Sequence, residues 1–143
     1  MPSHAEKKIL PYTPEQMFDM VADVASYPDF LPWCIATRIR STDETHMSAD
    51  MVIGFKMFRE QFTSSVILIR PRNIQVEYEN GPFKHLKNHW IFDTESEGNC
   101  LVDFSVDFEF SSQILERAIG KVFTGAVQRM VSSFEKRAKI LYA

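Results

Sequence analysis

Residues 101–110 read LVDFSVDFEF, so Val102, Phe104, Val106, Phe108 and Phe110 alternate with Asp103, Ser105, Asp107 and Glu109. Strict two-residue alternation belongs to a strand with one face buried and the other in water, which predicts an antiparallel sheet here. Weaker versions occur in IQVEYE (Ile74, Val76, Tyr78), in LKNHWIF (Leu86, Trp90 and Phe92, with Asn88 on the same face) and in MSADMVIGFKMF. Turn signals at Pro71-Arg72-Asn73, Asn80-Gly81-Pro82 and Glu97-Gly98-Asn99 separate these runs. Six consecutive strands are therefore expected between Cys34 and Phe110. The segment SHAEKKIL, residues 3–10, reads as a weaker edge strand and makes seven.

At both ends the apolar period changes to that of a helix. TPEQ supplies a start signal, with Thr13 as N-cap, Pro14 at the first helical position and Gln16 closing a capping box. Met17, Phe18, Val21 and Val24 follow at helical spacing. The next stretch, VASYPDFLPWC, carries prolines at 28 and 32, which stop any regular element from running through. Its bulky residues Tyr27, Phe30, Leu31 and Trp33 must therefore fill a space built by the rest of the chain. From Ser111 onward, Leu115, Ile119, Val122, Phe123, Val127, Met130, Phe134 and Ala138 mark one face of a single helix about 30 residues long, roughly 45 Å. Ser111 or Ser112 is its expected N-cap. A stripe of that length needs an equally long apolar surface to cover, and the inner face of a curved sheet provides one. The order strand, short helices, six strands, long helix predicts an α+β fold in one domain, residues 1–143.

Composition narrows the chemistry. A hydrophobic content of 45 % with 12 Phe in 143 residues implies a generous core or a ring-lined cavity. The net charge of −3 argues against DNA binding. No apolar run reaches the roughly 20 residues of a membrane span, and MPSHAEKK resembles neither a signal peptide nor a transit peptide, so a cytoplasmic location is expected. Cys34 and Cys100 form no CxxC motif and read as reduced, buried thiols. His85 and His89 lie four apart, roughly 13 Å along a strand, too far for one metal ion. Asp103, Asp107 and Glu109 read as a solvated sheet exterior. Cys34 has no base nearby in sequence, and glycine-rich phosphate loops and zinc spacings are absent. No catalytic residue, metal or required cofactor is expected.

The motifs YPDFLPWC (27–34), VIGFKMFRE (52–60), GPFKHLKNHWIF (81–92), VDFSVDFEFSS (102–112) and MVSSFEKRA (130–138), in this order, resemble the coenzyme Q-binding, polyketide cyclase-like family of the START-like superfamily. That family also includes bacterial ribosome-association toxin relatives. The resemblance spans nearly the whole chain. It implies the helix-grip fold, a seven-stranded antiparallel sheet curved around the C-terminal helix in the order β-α-α-β6-α. It also implies binding of ubiquinone or another polyprenyl lipid in the cavity between them, in support of quinone biosynthesis or respiratory electron transport. Two alternatives stay open: a ribosome-associated inhibitor of translation and a cyclase-like enzyme acting on an aromatic polyketide.

Within that architecture the expected cavity residues are Trp33, Asn88, Trp90, Phe92, Val106, Phe108, Val122, Phe123, Val127 and Met130. Asn88 is the odd member. A polar side chain on an apolar face is costly unless bonded, so it either holds a water or a ligand's polar head, or a strand irregularity turns it outward. Lys56, Met57, Phe58 and Arg59 fall at the tip of the third-to-fourth strand hairpin and are expected to touch an anionic inner-membrane surface, or to pack beneath the hairpin. Lys136 and Lys139 belong to a basic helix segment: residues 111–143 carry +4 and the remaining chain −7. That face suits transient contact with a membrane or, in the alternative reading, with ribosomal RNA.

Overall fold

The computed structural model describes residues 3–55 and 58–142, with the side chains of Phe55 and Phe58 excepted. Strand β1 (Ser3–Leu10) leads into helix α1 (Pro14–Ala22) and a 3₁₀ segment (Val24–Asp29). Strands β2 (Cys34–Thr42), β3 (His46–Phe55), β4 (Phe58–Ile69), β5 (Asn73–Asn80), β6 (Phe83–Ser96) and β7 (Asn99–Phe110) follow, and the chain closes with α2 (Gln113–Gln128) and α3 (Met130–Leu141).

All seven strands form one antiparallel sheet in the order β1-β7-β6-β5-β4-β3-β2. The meander from β2 to β7 needs only tight turns. The β1-to-β2 connection, by contrast, must travel from one edge of the sheet to the other, so α1 and the 3₁₀ segment cross its concave side. Register shifts in the β2–β3, β4–β5 and β6–β7 pairs add local bends, the usual device by which a sheet curls. Helix α1 starts as its sequence dictates: Gln16 N–H donates to Thr13 Oγ1 at 3.1 Å and Thr13 N–H to Gln16 Oε1 at 2.9 Å.

The proline-interrupted segment fills the concavity, with Leu31 fully buried. The rings of Tyr27 and Phe30 meet Phe134 of α3 edge-on at 5.4 and 5.2 Å, and Trp33 meets Phe123 of α2 at 6.3 Å. On the other side of the sheet, Asp103, Asp107 and Glu109 alternate outward as expected. Lys84 pairs with Glu109 at 3.6 Å there.

One expectation is corrected. The C-terminal helix is two helices, broken at Arg129, whose φ of −102° and ψ of 7° leave the helical region. The cause is local. Gly125, one turn earlier, offers no side chain, and the Arg129 guanidinium occupies the space beside it. Ser133 Oγ then bonds the Arg129 carbonyl at 3.0 Å and competes with the regular ladder. The break separates α2, whose Val122, Phe123 and Leu115 are half-buried, from α3, whose Val131, Phe134 and Ala138 are sealed at 1 %, 1 % and 0 % exposure.

Candidate functional site: the interior face beneath the helices

Reading across the register gives two lines of side chains on the concave face. One holds Met47, Val66, Val76, Asn88, Val106 and His4, and the next holds Ala49, Ser64 and Tyr78. Burial along the interior is uneven. Near α1 and α3 it is closed: Phe92 is fully buried against Phe18 of α1, and Trp90 stacks on Phe92 and meets Phe104 and Phe134. Met47, Met51, Val76, Tyr78, Phe123 and Met130 pack against the core yet keep part of their surface accessible.

The expected cavity residues thus separate into two groups. Trp90, Phe92, Val106, Phe108 and Val127 are buried at 6 % exposure or less and form the closed wall. Trp33, Val122 and Phe123, with Ile53, Gly54 and Ile119, border a crevice of about 20 Å³, room for roughly one water molecule. Met130 sits at the helix break, half-buried.

Asn88 stays on the inner face, and its role is explicit. Its Oδ1 accepts the indole N–H of Trp90 at 3.2 Å, and its Nδ2 donates to the Ser105 carbonyl at 2.9 Å. A buried indole N–H requires an acceptor, and the residue two positions away on the same face supplies it.

Polar groups that sequence reasoning did not single out also face inward. Ser64 is 6 % exposed, and Tyr78 Oη accepts the Phe83 N–H at 3.1 Å. Both belong to alternations too imperfect to assign a face before the pairing is known. Along the β1 side, Lys8 Nζ reaches Glu135 Oε1 of α3 at 2.7 Å, and this hydrogen bond raises the lysine's pKa.

A broad groove of about 580 Å³ runs across β1, β7, β6 and β5, lined by residues of both alternations, His4, Val76, Asn88 and Val106 as well as Gln75, Lys87, His89 and Ser105. Both of its histidines are engaged, His89 Nε2 meeting Asn73 Oδ1 and His4 Nε2 meeting Glu6 Oε2 at 3.4 Å. His85 Nε2 points toward Asp107 at 3.7 Å, so His85 and His89 serve different neighbours. Among the described residues no group of three or more His, Cys, Asp and Glu side chains could hold a metal ion. Burial pushes the thiols of Cys34 and Cys100 up to about 11, far from a nucleophile's range.

Of the expected membrane-contact residues, Lys56, Met57 and the side chain of Phe58 lie outside the described residues. Arg59, Lys136 and Lys139 are exposed. Among the described residues no helix is long and apolar enough to cross a membrane.

Comparison with known proteins adds to this geometry. The family model described as polyketide cyclase / dehydrase and lipid transport matches residues 10–135. The ribosome association toxin RatA of Rickettsia prowazekii is 42 % identical, over 97 % of each chain. The mitochondrial coenzyme Q-binding protein COQ10 homolog B of Xenopus laevis is 33 % identical over 97 % of this chain and 59 % of its own length. A START superfamily protein from Mycobacterium smegmatis superposes with a TM-score of 0.80, covering 97 % of this chain and 98 % of that one, at 13 % identity, which is a likeness of fold. With the grip of one curved sheet on its closing helices and a family match along most of its length, this chain belongs to the polyketide cyclase/dehydrase and lipid transport family.

Proposed function

We propose that this protein binds a ubiquinone-like or other polyprenyl lipid between the sheet and α2, as a carrier or chaperone and without catalysing a reaction on it. The observation that carries this reading is the half-open interior: six apolar side chains, Met47, Met51, Val76, Tyr78, Phe123 and Met130, pack against the core and remain partly accessible. At about 25 cal/mol per Å² of apolar surface, an isoprenoid tail laid along them gains several kcal/mol by leaving water. The likeness to a coenzyme Q-binding protein supports a quinone as the head. The non-catalytic part is supported by relatives named for ribosome association and for coenzyme Q binding rather than for an enzymatic reaction.

The test is solvent extraction of the purified protein followed by mass spectrometry, then titration of the stripped protein with decylubiquinone. Co-purifying quinone and saturable binding are expected. A folded protein that yields no lipid and does not saturate overturns the reading.

Ribosome association is a second reading, supported by the RatA relatives and by the exposed cations Arg117, Lys121, Arg129, Lys136 and Lys139 of α2 and α3. It predicts salt-sensitive co-sedimentation with ribosomes, independent of bound lipid.

A further inference from the structure

The two most exposed large apolar side chains among the described residues, Ile114 at 78 % and Ile140 at 72 %, sit on the closing helices. They bracket cations. On α2, Arg117 and Lys121 follow Ile114 at spacings of three and four residues; on α3, Lys136 stands one turn before Ile140, with Lys139 beside it. All four cations are exposed. Residues three and four apart share a helix face, so each isoleucine lies among positive charges.

The two helices follow nearly one course. Across the break, the Arg129 N–H still donates to the Gly125 carbonyl at 3.2 Å and the Ser133 N–H to the Arg129 carbonyl at 2.9 Å, the four-residue spacing of a regular helix on either side. Their inner side is filled, with Ile119, Val127, Val131, Phe134 and Ala138 buried. The two acids of this stretch are engaged elsewhere. Glu116 folds back along the buried Gly120, where an added Cβ would meet its Oε1 at 2.8 Å, and Glu135 bonds Lys8 of β1 at 2.7 Å.

We infer that this outward face of α2 and α3 docks on an anionic bilayer, the isoleucines entering the interfacial layer while the cations meet lipid phosphates. This deepens the lipid-carrier reading above and rests on it, since a carrier must meet the membrane that gives or takes its cargo. The cations alone suit any polyanion. The isoleucines decide between partners: ribosomal RNA offers phosphates and leaves two aliphatic side chains in water, whereas a bilayer offers phosphates with hydrocarbon directly beneath. They stand about 39 Å apart along the helical course, so together they anchor both ends of the face.

The experiment is co-sedimentation with vesicles of phosphatidylcholine and phosphatidylglycerol, two to one. It compares wild type, Ile114→Ser with Ile140→Ser, and Ile114→Trp with Ile140→Trp. The serine pair is expected to weaken vesicle binding about tenfold and the tryptophan pair to strengthen it, because an interfacial layer rewards a large apolar ring and not a hydroxyl. Melting temperature, ribosome co-sedimentation and saturation with decylubiquinone should be the same in all three proteins. Vesicle binding that is equal in the three, or absent from wild type, overturns the docking surface. So does a serine pair that loses ribosome association and keeps its vesicle affinity, which assigns the face to RNA. A serine pair that melts lower or no longer saturates with decylubiquinone overturns it as well, since the isoleucines then serve the fold. Wild type that never saturates with decylubiquinone overturns the carrier reading alone, and the vesicle ranking still decides the surface.

Discussion

Asn88 illustrates how one residue resolves a conflict between a face and its chemistry. Trp90 contributes a large apolar surface to the closed wall but brings an N–H, and Asn88 accepts it at 3.2 Å. Asn88→Ala should cost about 1 kcal/mol more in urea unfolding of the wild type than in a Trp90→Phe background, where the indole donor is gone and only the bond to the Ser105 carbonyl is lost. Equal costs in the two backgrounds would show that the bond contributes nothing. Asp50 is the second case. Hydrogen bonds from the Thr63 hydroxyl and the Arg40 guanidinium hold its carboxyl below the usual range. A depressed carboxylate pKa stabilises the fold above the unfolded value, near 3.9, and that contribution disappears as pH falls through the folded value. Asp50→Asn should therefore be less stable than wild type at pH 7, with the gap closing below about pH 4. A gap that stays constant from pH 7 to pH 3 would contradict the assignment.

At the scale of elements, two glycines set the shape of the fold and respond oppositely to a methyl group. Gly81, in the β5–β6 turn, has a φ of 145°, and a Cβ there would lie 2.5 Å from that of Phe62. Gly81→Ala should destabilise by roughly 2–3 kcal/mol, through both the backbone conformation and the clash beneath it. Gly125 lies inside α2, where an added Cβ would meet only the end of the Arg129 side chain at 3.3 Å. That guanidinium can swing away, so Gly125→Ala should gain up to about 1 kcal/mol from helix propensity. Thermal melts of the two variants check both signs. A melting temperature lowered by Gly125→Ala would mean that the helix break depends on the Arg129 contact.

For the whole molecule, the relevant asymmetry is charge. The segment from residue 111 carries +4 on a protein of net −3, and its Lys136 and Lys139 project into solvent. In either proposed reading, docking of this face on a bilayer or on ribosomal RNA weakens with salt. Reversing both charges, Lys136→Glu with Lys139→Glu, should reduce binding to anionic vesicles or to ribosomes severalfold at low salt while leaving the extracted lipid content unchanged. Unaltered binding to both surfaces would remove this face from either account.

Much of this protein is written in local pattern. The seven strands, their turns and the capping box of α1 follow from alternation and turn chemistry alone, because a half-buried strand must alternate and an N-cap must accept a hydrogen bond. Trp33, Val122 and Phe123, far apart in the chain, meet at one crevice only in the folded structure. Other features depend on which strands become neighbours. Phe92 and Val122 look equally apolar in sequence, yet the crossing of α1 seals one while α2 leaves the other half-open. The helix break at Arg129 lies inside an uninterrupted apolar stripe, so periodicity passes over it. Ser64 becomes the register partner of Tyr78 only through the pairing of β4 with β5, between residues fourteen apart in the chain. Local sequence decides what each segment can form; the pairing of distant segments decides which side chains are covered and which are left to meet a ligand.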